Sequence, residues 1–327
     1  MIRWSAALAK AGITDPRLRR TYDAQRRLVR RFALHEYVAA RLLLPAHLHP
    51  AVAAAVAYMH VTDELIDTGD VSSRQAALAS WDAETMAALE RGGAAERGTL
   101  QALQDTVRRH PQMAARVRAF LDGAQVEATW TGFATEADFQ RYVDHYSLPA
   151  LMLTASLIAP APGGGAEEPF IRGCRALIEG WQRCDFLADL ADDAGKGRIG
   201  IPQEELVRHE LKLEDLQSKA VTCVPALGRL VRAQTELAEA ALAECQRLPT
   251  LVAPEHRPFL DALIAVQELR LDAVRRAGAG LLRRGAGPAR LASLRVLTRQ
   301  HRRARQLRRG LIRFDGHQRS GASAPEG

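Results

Sequence analysis

The chain has 327 residues, 47% of them apolar and 25% charged, with a formal net charge of +7. This balance excludes a disordered or collagen-like polymer and leaves a globular protein able to bury a sizeable core. The charge is local: residues 270–327 hold 15 Arg and three acids, a surplus of +12, which leaves the rest of the chain at −5. No aromatic platform or reading motif accompanies the basic end, so no nucleic-acid partner is expected, and the end suits peripheral contact with membrane phosphates.

Apolar residues recur at helical spacing almost throughout, and strand-length alternation is hard to find. The predicted fold is all-α. Helices are expected at about 18–44, interrupted near Arg31–His35, then at 47–67, 73–91, 97–109, 112–131, 136–159, 168–193, 213–247, 255–284 and 288–309. Breakers sit between them: Pro45 and Pro50, Pro111, the run PAPGGG at 160–165, Gly195, Gly197 and Pro202, and Pro254. No linker divides the pattern, so one domain is expected over 18–310, with an N-terminal extension at 1–17 and a disordered tail at 311–327. Cys174, Cys184, Cys223 and Cys245 lack metal-site spacing and read as core residues. No apolar run reaches the ~18 residues of a membrane helix, and the start lacks a signal-peptide core, so a cytoplasmic location is expected.

Chemistry concentrates in two acidic stripes. In AAAVAYMHVTDELIDTGD an apolar helix carries Asp63, Glu64 and Asp67 near its C-terminal end, where the helix dipole already places negative charge. A compensating cation is expected nearby. Asp63 and Asp67 share a face, with His60 one turn earlier. In GWQRCDFLADLADDAGKGRIGIP, Asp185, Asp189 and Asp193 repeat every four residues, Gln182 extends the row, and Lys196 and Arg198 follow in a flexible loop. With 38 acids in the chain, about four such pairs arise by chance, so one pair means nothing. Two stripes ending apolar helices, one followed by cations, mean more. Facing carboxylate rows suit Mg²⁺, which takes oxygen ligands and holds phosphates through one or two carboxylates and water. The implied substrate is a diphosphate whose allylic carbon–oxygen bond ionises beside an apolar cavity.

The segments RLLLP, HVTDELID and DFLADLADDAGKGRIGIP, in that order, resemble the signature segments of the squalene and phytoene synthase family, with similarity over about residues 30–300. The resemblance implies an all-α isoprenoid synthase fold with a central cavity between two aspartate-rich helices. It also implies Mg²⁺-dependent ionisation of prenyl diphosphates. By position, Asp63, Asp67, Asp189 and Asp193 match the metal-binding acids, accompanied by Glu64 and Asp192. Gln182 matches the family's Gln, Asp185 stands where Asn is usual, and Lys196 and Arg198 match the basic residues after the second motif.

Departures shape the expected reaction. His60, Gly132 and Ala188 stand where the family carries Arg, Gly200 where it has Tyr, and Ser147, Leu148 and Pro149 where small residues make room for a second prenyl chain. The first expectation is therefore transfer of the prenyl group from one allylic diphosphate to a small electron-rich aromatic acceptor, resembling carbazole-type prenyltransferases. His60, or His145 and Tyr146, would position the acceptor or take its proton. The alternatives are head-to-head coupling of two allylic diphosphates, a terpene cyclase, or a non-catalytic lipid- or RNA-binding subunit.

Overall fold

The computed structural model describes residues 2–91, 95 and 97–321. Among these residues there are sixteen α-helices and no strand. They are α1 (Trp4–Lys10), α2 (Pro16–Phe32), α3 (Leu34–Leu43), α4 (His49–Asp67), α5 (Val71–Arg91), α6 (Gly98–Arg109), α7 (Met113–Ala128) and α8 (Glu136–Tyr142), which runs through a π-helical segment (Val143–Ser147) into α9 (Leu148–Ala155). Then follow α10 (Glu167–Ala188), α11 (Leu190–Gly195), α12 (Gln203–Arg208), α13 (Leu213–Gln217), α14 (Val224–Glu244), α15 (Arg257–Ala277) and α16 (Arg290–Gly321).

Local chemistry sets several ends. Asp15 accepts from the backbone N–H groups of Arg17 and Leu18 at 3.1 and 3.2 Å, with Pro16 opening α2. Thr135 and Asp138 form a reciprocal capping box on α8. α4 is central because its alanines at 51, 53, 54, 55 and 57 are buried and let neighbouring helices approach closely. Two polar contacts pin it: Trp81 Nε1 donates to Thr62 Oγ1 at 2.9 Å, and the Tyr58 hydroxyl donates to Thr85 at 3.3 Å.

Two apolar clusters flank the region of the acids. One gathers Tyr58, Leu78, Trp81, Phe120 and Leu121 from α4, α5 and α7. The other gathers Phe170, Leu177 and Leu187 of α10 with Leu227, Leu230 and Leu271 of α14 and α15.

Several expectations change. The N-terminal 17 residues are integral, since Leu8 and Ile13 are buried against Tyr22, Ala54 and Ala102. The helix expected at 136–159 contains the π-helical segment because Pro149 offers no N–H to the carbonyl four residues earlier, that of His145. That oxygen packs so close to α7 that a Cβ on Gly123 would lie 2.1 Å from it. The helix expected at 168–193 breaks at Asp189 and restarts at Leu190, and the one expected at 213–247 divides into α13 and α14. α16 continues to Gly321, past the position where the tail was expected to begin, and the remainder of that tail lies outside the described residues.

Candidate active site

The first acid row ends α4. The Tyr146 hydroxyl, on the π-helical segment, donates to Asp63 Oδ1 at 3.3 Å. Burial, with smaller contributions from Asp67 and Glu127, pushes the Asp63 carboxyl up to about 7 against the opposing Tyr146 hydrogen bond. Asp67 lies one turn on and is exposed. The cation expected at this helix end is Arg74, whose guanidinium donates to the Ile66 carbonyl at 3.3 Å. Arg74 also acts electrostatically on Glu127.

Glu127, at the end of α7, joins the two rows. Its carboxyl is raised by burial, interacts with Asp67 on one side and Arg198 on the other, and keeps one buried oxygen without a hydrogen-bond partner. Arg198 in turn acts on Asp193 and lies 5.1 Å over the ring of Trp130. The chain Asp67, Glu127, Arg198, Asp193 thus links the C-terminal ends of α4 and α11.

The second row straddles the helix break. Burial raises Asp189, with Asp192 adding to it and Lys196 opposing; burial also raises Asp193, with Lys196 and Arg198 opposing. Lys196 Nζ is 3.9 Å from Asp193 and largely exposed. Asp185 is turned away from this row and forms an ion pair with Arg270 of α15, which packs 5.9 Å over Trp181 and interacts with Glu36. Gln182 accepts from the Ser147 hydroxyl at 3.2 Å, tying α10 to the π-helical segment.

Between the rows stands an aromatic wall. Trp130, Phe133, Tyr142 and Phe186 pack with ring centroids 5.2–6.1 Å apart, and Tyr146 joins Tyr142 at 5.3 Å. Phe186 explains Gly200: a Cβ there would fall 2.0 Å from the Phe186 ring, so the ring at 186 occupies the space beside 200.

The predicted residues divide into two groups. Asp63, Tyr146, Asp67 and, through Glu127 and Arg198, Asp193 form one electrostatic network, with Asp189 and Lys196 beside Asp193. His60 stacks on Phe32 with centroids 3.6 Å apart and lies 3.4 Å from Glu64, so this pair forms a contact of its own on the outer side of α4. His145 is exposed. Among the described residues, no three His, Cys, Asp or Glu side chains are gathered to hold a metal ion. The acids instead form two oxygen-donor pairs whose mutual repulsion and burial call for positive charge. That donor set fits Mg²⁺ completing its shell with phosphate oxygens and water. Sequence reasoning missed Arg74, which follows the first motif closely but carries no pattern of its own, and Arg270, which lies far from either motif, and it did not select Glu127 or Tyr142.

The squalene/phytoene synthase family model matches residues 30–301. The bifunctional protein CrtB/UppS of Streptomyces coelicolor is 31% identical over 264 residues, which are 80% of this chain and 45% of that protein. The 15-cis-phytoene synthase of Synechococcus elongatus is 28% identical over 210 residues, 61% of this chain and 66% of that one. The chain therefore spans from about half to two thirds of the length of these relatives. Two solved structures share the all-α fold. The squalene synthase HpnC from Alicyclobacillus acidocaldarius superposes with a TM-score of 0.70 at 24% identity, covering 82% of this chain and 98% of that one. A dehydrosqualene synthase superposes with a TM-score of 0.72 at 18% identity, covering 87% and 96%.

Proposed function

The chain belongs to the squalene/phytoene synthase family, and from that premise we propose that it is a prenyltransferase coupling two allylic prenyl diphosphates head to head. The observation that carries this reading is the pairing of two carboxylate rows across Glu127 and Arg198 beside an aromatic wall. Asp63, Asp67, Asp189 and Asp193 would hold Mg²⁺. When bound, the metal would supply charge neutralisation for a departing pyrophosphate.

The chain's own residues do the rest. Lys196 and Arg198 hold phosphate oxygens at the second row, and Arg74 adds positive charge at the end of the first. The carbon–oxygen bond of the donor breaks with its electron pair leaving on pyrophosphate. The π pair of the second substrate's alkene then forms the new carbon–carbon bond, and loss of a proton closes a cyclopropane. Ring faces of Trp130, Tyr142 and Phe186 stabilise the allylic cation and keep water from it.

Transfer to an aromatic acceptor is the second reading. The family favours coupling; the acceptor is favoured by Ser147, Leu148 and Pro149 in the middle helix and by His60, Gly132 and Ala188 where the family carries Arg. Incubation with farnesyl or geranylgeranyl diphosphate and Mg²⁺, with and without indole or carbazole, separates the two by mass spectrometry. Coupling gives a cyclopropyl diphosphate or hydrocarbon without acceptor. A product only when acceptor is present would overturn it.

A further inference from the structure

Exposed apolar side chains are not scattered evenly over this molecule. Leu291 and Leu294, one turn apart on α16, are 71% and 58% exposed, the former more than any other large apolar side chain among the described residues. Arg290, Arg295, Arg299 and Arg302 lie exposed around them, and residues 290–308 contain no acid. Leu291, Leu294, Arg295, Thr298 and Arg299 line an open groove of about 840 Å³.

The opposite side of the same helix is firmly seated. Gln300 and Ala304 are buried, Arg303 pairs with Asp261, and Arg308 donates to the carbonyls of Leu43 and Leu44 at 2.9 and 2.7 Å. α16 is therefore a fixed helix with one unpartnered, basic and aliphatic face.

The segment leading into α16 passes so close to α10 that a Cβ on Gly285 would lie 2.8 Å from the Ala188 carbonyl, the residue before Asp189. A second basic and apolar patch lies at the α2–α3 corner, where Phe32 and Leu34 are 40% and 49% exposed beside Arg30 and Arg31. Phe32 stacks on His60, one turn before Asp63. The α2–α3 patch thus abuts α4 one turn before the first acid row.

We propose that the outer face of α16, around Leu291, Leu294, Arg295 and Arg299, docks the protein on an anionic lipid bilayer surface. Charge complementarity selects this partner: arginines at an anionic surface each add roughly fivefold in affinity. The leucines distinguish lipid from nucleic acid. Aliphatic side chains gain by entering the headgroup layer and contribute nothing to phosphate-backbone binding, and residues 290–308 contain no Phe, Tyr or Trp ring on which a base could stack.

Co-sedimentation of the full chain with phosphatidylcholine vesicles, with and without phosphatidylglycerol, tests the proposal. The expected result is binding only to the anionic vesicles, weakened by salt. Leu291→Ser with Leu294→Ser should weaken it about tenfold, and Arg295→Gln with Arg299→Gln about 25-fold. Circular dichroism melts should be unchanged in both variants, because all four side chains are exposed. Absence of vesicle binding, binding that the leucine variant leaves intact, or binding to duplex nucleic acid alone would overturn it.

Discussion

The hydroxyl of Tyr146 donates to Asp63 at 3.3 Å, joining the π-helical segment to the end of α4. Removing it by Tyr146→Phe forfeits about 1 kcal/mol of positioning, so turnover should fall roughly fivefold while the melting temperature hardly moves. Tyr146→Ala also opens space beside Phe120 and Tyr142, so the range of accepted substrates should widen. Steady-state kinetics over a panel of diphosphates measures both effects.

Asp63 trades stability for function. Its folded-state pKa of about 7 stands above the usual carboxyl value of 3.8, so ionisation penalises the folded chain, and stability is lost as pH rises from about 4 to 7. In chelator at pH 8, Asp63→Asn should stabilise the protein by about 2 kcal/mol. The same variant should lower prenyl transfer at least ~100-fold. Denaturant titration and product assays check the two halves separately.

His49 gives the opposite pH signature. Burial lowers its imidazole to about 4; Nε2 is 3.0 Å from the Leu44 carbonyl, and Nδ1 is buried without a partner. The unfolded ring takes up a proton near 6.5 and the folded ring only near 4. Stability is therefore full above about 6.5 and falls by up to about 3 kcal/mol as pH drops towards 4. Melts of wild type and His49→Met between pH 7 and 4.5 should show a shallower slope in the variant.

Gly123 tests the packing beneath the π-helical segment. Because a Cβ there meets the His145 carbonyl at 2.1 Å, and backbone cannot swing aside as a side chain would, Gly123→Ala should cost about 2–3 kcal/mol. A thermal melt unaltered by this substitution would mean the segment yields easily.

The helices and both acid stripes were legible because helical periodicity and four-residue spacing are local properties. Asp63 and Asp67 on one face of α4 needed only the helical repeat. The break at Asp189 and the π-helical segment were less accessible: Pro149 bears on the second locally, but the close packing at each involves a neighbour remote in sequence, Gly285 against Ala188 and Gly123 against His145. Arg270 reached Asp185 across 85 positions, a distance no motif spans. His60 illustrates the same limit: its spacing placed it with Asp63, yet Phe32 from another helix claims its ring.

The most direct test is Mg²⁺-dependent pyrophosphate release from geranylgeranyl or farnesyl diphosphate alone, measured for wild type, Asp63→Asn and Asp189→Asn. Release by the wild type with a coupled C30 or C40 product, lost in both variants, is the expected result. Release that persists in both variants, or no release from any allylic diphosphate with or without an aromatic acceptor, would contradict the role assigned to the paired acid rows.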